Sequence, residues 1–203
     1  MSKETIKEVG VATVKGGIGL IPIVGPLFSE LIGVFTNKKS QQRFEKWASM
    51  VESRLERLEQ KIDENNEMFY SAMVKTTQIV AKTHQDEKLE YLANALINSA
   101  TSTLEEDKIQ HFLELIERYT PSHIKTLKSY VSINDKSYYF KEGDSSNRGD
   151  IQELRKFYGS QLSSDGLVGF TNRRYGSEIL LPLGEEFLSF ILKQGVYNDN
   201  NEG

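Results

Sequence analysis

Apolar and polar positions divide the chain into stretches of different character. From Gly16 to Phe35 it reads GGIGLIPIVGPLFSELIGVF, 20 residues with Glu30 as the sole ionisable group. From Ser40 onward Phe44, Ala48, Val51, Leu55, Leu58, Ile62, Asn65, Phe69, Ala72, Thr76 and Ile79 recur at alternating spacings of four and three. This is a heptad seam over about five heptads. Pro121 is the only Gly or Pro between Asn37 and Gly143, so one long helix is expected, with Ser40 as its N-cap. Glu45, Lys46, Glu52, Arg54, Glu56, Arg57, Glu59 and Lys61 form its mixed-charge solvated face. Trp47 widens the apolar stripe and favours a multi-helix bundle. The seam, led by Phe44, Val51, Leu55, Leu58, Ile62 and Phe69, can serve an intrachain bundle or a homo-oligomer.

The apolar stretch is long enough to cross a bilayer as a helix, which takes roughly 20 residues. Its composition argues against a simple span. Pro22 and Pro26 each remove a backbone donor, five glycines lower helix propensity, and Glu30 is costly in lipid. Two short helices are expected instead, at about residues 5–20 and 26–36, with a bend between Ile21 and Pro26. Ile18, Leu20, Ile21, Pro22, Ile23, Val24, Pro26, Leu27, Phe28, Leu31, Ile32 and Phe35 supply the apolar surface. Three roles compete for it: buried core, a membrane segment sheltered until a trigger releases it, and a permanent anchor or signal. Glu4 and Glu8 offset the early lysines and no A-x-A site follows, so a secretory signal is disfavoured and a cytoplasmic location is expected.

Further along, Leu89, Leu92, Ala93, Leu96, Ile97 and Ala100 form a helical stripe. Thr103 and Glu106 read as a capping box for a helix that buries Ile109, Phe112, Leu113 and Ile116. Thr120-Pro121 opens a new helix with Ile124, Leu127, Tyr130 and Val131. A polar loop over 134–149 follows, with a short strand or turn at Tyr138–Phe140. Next come a short helix with Ile151, Leu154, Phe157 and Tyr158, a turn of helix to Leu162, and a stop at Gly166. An apolar strand, the tip TNRRYGS, the return strand EILLPL and a closing helix complete the pattern. The expected organisation is 1–36 apolar segment, 37–118 bundle, 119–196 C-terminal domain and 197–203 polar, disordered tail.

The run from Leu162 through SSDGLVGF, a hairpin and LLPLGEEFLSFI resembles the wing region of winged-helix domains. The implied fold is mainly α: a helical bundle with one long heptad-bearing helix, followed by a small α+β winged-helix-like domain. That resemblance implies DNA, which the charge disfavours. The segment that would enter the major groove, Gly159–Asp165, has no Lys or Arg, the commonest readers of guanine. Arg173 and Arg174 at the wing tip are the candidate nucleic-acid contacts.

A broader likeness rests on Gly25-Pro26 ahead of the charged helix and on Tyr91-Leu92 and Phe112-Leu113. It continues in Tyr119-Thr120-Pro121-Ser122-His123, Asp165-Gly166-Leu167-Val168 and Leu181-Pro182-Leu183-Gly184. In this order they resemble the bacterial abortive-infection alpha family. The resemblance implies phage defence by growth arrest or cell death, and it carries over no functional residue.

Composition narrows the chemistry. The chain has 203 residues, no cysteine and three histidines, so disulfides and thiolate chemistry are excluded and no metal site is expected. The net charge of −4 is uneven. Residues 1–36 are balanced, 37–118 hold 12 basic against 15 acidic side chains, and 119–203 hold 10 against 11. No phosphate-binding loop, G-x-S-x-G or H-E-x-x-H motif occurs. His84 and His111 read as surface residues. Glu105, Glu106 and Asp107 complement a helix start. The expectation is a non-enzymatic protein without cofactor, membrane-associated on activation, partnered by a second copy or another protein. The alternative is an oligomeric scaffold or DNA-binding regulator.

Overall fold

The computed structural model describes residues 35, 37–58, 66–132, 148–170 and 178–192. They form seven helices and three short strands. The chain divides into two compact units, one to Glu117 and one from Arg118.

In the first unit, α1 runs Lys38–Leu58, α2 Glu67–Lys82, α3 Glu87–Thr101 and α4 Glu106–Arg118. The single long helix expected from the seam is two helices. Asn66 has a non-helical backbone, and its side chain accepts from the Phe69 amide at 2.9 Å, so α2 starts anew there. The helices α1, α2 and α3 pack on one another. Their contact buries Phe44, Trp47, Ala48, Val51 and Leu55 of α1 with Phe69, Ala72, Thr76 and Ile79 of α2. The described part of the seam is therefore spent within one chain. Thr76 is tolerated in it because its hydroxyl donates to Ala72 O at 2.8 Å. Leu58 closes α1, and Ile62 and Asn65 lie outside the described residues.

Two helix starts differ from expectation. Asn37, not Ser40, caps α1: its Oδ1 accepts from the Ser40 amide at 2.9 Å and its carbonyl from Gln41. Ser40 sits one turn in and returns a bond from its hydroxyl to Asn37 O at 2.8 Å. In α4 the Glu105 carbonyl accepts from the Lys108 and Ile109 amides, so the helix begins two residues after the expected Thr103 cap. Burial of Ile109, Phe112, Leu113 and Ile116 is as the stripe predicts. Gln110 of α4 donates to Ser71 of α2 at 2.8 Å. Glu117 ties α4 to α2 through Lys75 at 3.2 Å and Lys82 at 3.1 Å.

In the second unit, α5 runs Pro121–Lys128, β1 Val131–Ser132, α6 Arg148–Ser164, β2 Val168–Phe170, β3 Glu178–Leu180 and α7 Pro182–Ile191. Pro121 and Pro182 stand at helix starts, where a missing N–H costs nothing. Val131, expected on the helix, belongs to β1. The sheet order is β1-β3-β2, with β2 antiparallel to β3 and β1 parallel to it. Val168 pairs with Leu180 and Phe170 with Glu178. Gly166 adopts φ +74° as it leaves α6, a conformation that L side chains rarely adopt. The α6 helix is 17 residues long, not short as expected. Of the expected loop over 134–149, Arg148 and Gly149 instead open α6, and residues 134–147, the expected hairpin tip and the tail lie outside the described residues.

Candidate functional site

Of the candidate apolar segment, residues 18–32 lie outside the described residues and Phe35 lies inside them. Phe35 is 4% exposed and belongs to no helix, so the expected helix over 26–36 does not extend to it. Its ring lies 4.5 Å, centroid to centroid, from Phe44 of α1, and Phe44 lies 6.0 Å from Trp47. The apolar segment thus ends in an aromatic foothold on the bundle, two residues before the Asn37 cap. The foothold follows from local sequence. Helix α1 starts at Lys38 with Phe44 and Trp47 buried, and Phe35 packs on the first of them. Burying an aromatic ring of this kind is worth about 1.5–3 kcal/mol.

A second cluster lies in the second unit, at the start of α5 and the end of α6. His123 is 7% exposed. Its Nδ1 accepts from the Thr120 amide at 3.1 Å and lies 2.8 Å from Thr120 Oγ1. The accepting role of Nδ1 puts the proton on Nε2, which donates to Gln161 Oε1 at 3.0 Å. The ring stacks on Tyr119 at 4.9 Å with planes 4° apart and meets Tyr158 at 4.0 Å. Tyr119 donates its hydroxyl to Asp165, which also pairs with Arg118 at 3.0 Å. Burial, reinforced by the Asp165 carboxylate, raises the Tyr119 phenol well above its ordinary range. Both imidazole nitrogens are engaged, so the cluster locks the α5–α6 packing.

The same bonds occupy much of the segment that a winged-helix comparison would aim at DNA. Gln161 is held by His123 and Asp165 by Tyr119 and Arg118. Nearby, Arg155 lies 4.5 Å over the Tyr130 ring and donates from Nε to Ser129 Oγ at 2.9 Å. Burial and then Glu178 push the Tyr130 phenol up to about 12. Arg173 and Arg174 lie outside the described residues. Phe157 at 77% and Phe170 at 68% are the large apolar side chains most exposed among the described residues.

His84 is exposed and His111 half-exposed. Among the described residues no group of three His, Asp or Glu is placed to hold a metal. No helix among them is long and apolar enough to cross a membrane. Sequence reasoning missed the roles of His123 and Lys88. Thr120-x-x-His123 was a legible signal, since it is a capping box with His in place of Glu. Lys88, four residues before Leu92, falls on the α3 stripe.

Comparison with protein-family models, curated proteins and solved structures gave no match for this chain.

Proposed function

We propose that this chain is a non-enzymatic effector of the abortive-infection type, cytoplasmic at rest, whose Gly16–Phe35 segment acts on a membrane once released from the bundle. The observation that carries this reading is the buried Phe35 ring against Phe44. It gives an almost uncharged segment a specific attachment to a folded body, and an attachment can be broken. The resting state keeps the apolar surface covered; the active state inserts it or pairs it with a second copy. Pro22 and Pro26 suit a broken, hinged insertion better than a straight span. Induced cells carrying the full chain should arrest and hold the protein in the membrane fraction, whereas cells carrying a chain without residues 1–36 should do neither. Ile23→Asp or Leu27→Asp should abolish toxicity in a protein that still folds. Unchanged toxicity in those variants would remove the reading.

A second reading is an interaction module with a winged-helix-like second unit. The exposed Phe157 and Phe170 rings support it, since aromatic side chains are enriched at protein contacts. Protein contact is a better match than DNA, given the engaged Gln161 and Asp165. A gel-shift series at low salt with Arg173→Ala/Arg174→Ala tests the DNA branch. Absence of binding by the parent chain ends it.

A further inference from the structure

We propose that the cavity where α2, α3 and α4 meet is a binding site for a phosphate group carried by a small molecule or by a lipid headgroup. The cavity has a volume of about 460 Å³ and is lined by Ile79, Lys82, His84, Gln85, Lys88 and Glu117, with Thr83 beside them. All belong to the first unit, so the site is complete within it.

The charge inventory is lopsided. Glu117 is the one carboxylate in the lining, and its two oxygens are taken by Lys75 at 3.2 Å and Lys82 at 3.1 Å. Among the described residues no carboxylate pairs directly with Lys88, although the Glu117 charge attracts it. Its Nζ donates to the Glu117 backbone carbonyl at 2.9 Å, using one of three N–H donors. Lys88 is 7% exposed, and a buried ammonium is costly without a counter-charge. Burial outweighs the attraction of Glu117 and holds this amine below its ordinary range. The lining therefore sets two ammonium groups, Lys82 and Lys88, against the Glu117 carboxylate, which Lys75 from outside the lining already shares, with His84 beside them.

The start of α3 adds to the field. Asp86 makes no side-chain cap, and its carboxylate turns instead to Lys46 at 3.0 Å. The positive end of the helix faces Glu87 and Glu90 of its first turn, both exposed and outside the lining. An anion in the cavity would meet the spare Lys88 donors, Lys82 and His84. A tetrahedral phosphate, with several acceptor oxygens, suits this non-planar donor set better than a planar carboxylate does. The volume leaves room for an organic substituent.

The test is titration of the full chain with inorganic phosphate against chloride at matched ionic strength, followed by amide NMR. The expected result is saturable shifts confined to residues 79–88 and 117. Lys88→Met should weaken binding at least tenfold, and Lys82→Ala by about two- to fivefold. Lys88→Met strips the Glu117 carbonyl of its partner, so Lys82→Ala/His84→Ala, both exposed, is the variant on which folding is safe. Lys125→Ala, in the other unit, should bind as the parent does. Shifts that stay linear, or that chloride reproduces, overturn the proposal. So does undiminished phosphate binding by Lys82→Ala/His84→Ala. Sedimentation with phosphatidylcholine vesicles containing phosphatidic acid separates the sources. Capture that inorganic phosphate competes away assigns the group to a lipid, and phosphate binding without capture assigns it to a soluble molecule.

Discussion

Both units have a buried apolar core, but up to Glu117 large aromatic side chains interlock between the described helices, whereas from Arg118 the apolar core is joined by close-fitting polar and glycine positions. In the first unit Phe44, Trp47, Phe69 and Phe112 are fully buried, and the ion pairs Lys46–Asp86 and Arg54–Glu90 stay at the edge. In the second, His123 sits between two tyrosines, Asp165 bonds Tyr119 and Arg118, and the backbone passes close at Gly184. An apolar core responds to lost volume. A close polar fit responds to added atoms and to protonation.

The largest expected effect is in the first unit. Phe44→Ala should cost about 3–5 kcal/mol, since it empties a fully buried aromatic position and removes the partner of Phe35. Trp47 is the only tryptophan, so its fluorescence in a urea titration reports this unit. A loss under about 1 kcal/mol would mean that the seam is not the core.

In the second unit, adding one methyl should suffice. A β-carbon at Gly184 would press on the Leu167 carbonyl oxygen and lie 2.6 Å from Leu180 Cδ1. Gly184→Ala should therefore cost about 1–3 kcal/mol. Gly166→Ala should cost about 1–2 kcal/mol because of its positive φ. Near-UV circular dichroism of the tyrosines around His123 follows both.

The units should also part ways with pH. Tyr119 and Tyr130 have raised phenol pKa values, so the stability they contribute is whole below their ordinary value of 10 and is lost as pH rises beyond it. Lys88 is lowered, so the first unit gains stability as pH climbs from its folded value toward 10.5. Glu117 is held low, chiefly by its bond to Lys82, so the first unit weakens as pH falls below 4.5. Tyr91 in the first unit is raised too, by burial and then Glu87 and Glu90, so urea titrations across alkaline pH should show the second unit falling more than the first, where the rise from Lys88 is offset by Tyr91. Tyr119→Phe should reduce the fall and Lys88→Met should remove the rise. The smallest effect should come from Lys46→Ala, within about 1 kcal/mol, because that pair is solvent-exposed.

Periodicity carried the sequence reading where elements are long. The stripes of α3 and α4, the Thr120-Pro121 start and the Gly166 stop were legible, as was the β2–β3 return. The break between α1 and α2 was not, because alternating spacings of four and three run through Asn65 and Asn66 undisturbed. A polar residue in a seam and an N-cap look the same to a periodicity. Asn37 and Ser40 are both good caps, and only the hydrogen bonds distinguish them. Strand β1 has two residues, too few for alternation, and its parallel pairing with β3 is long-range. The candidate site was legible as an apolar stretch, but its attachment through Phe35 depends on where α1 begins. Lys88 was hidden because a charged residue on a stripe is ordinarily assigned to the solvated face.

The proposal that the apolar segment is held through Phe35 and acts on membranes when freed has a direct test. Dye release from anionic liposomes, with Phe35→Ser in the full chain, tests it without knowledge of the natural trigger. Release should rise well above the parent protein's and be abolished when Leu27→Asp is added in the same chain. Release no greater than the parent's from a folded Phe35→Ser protein, or release that Leu27→Asp leaves intact, would contradict it.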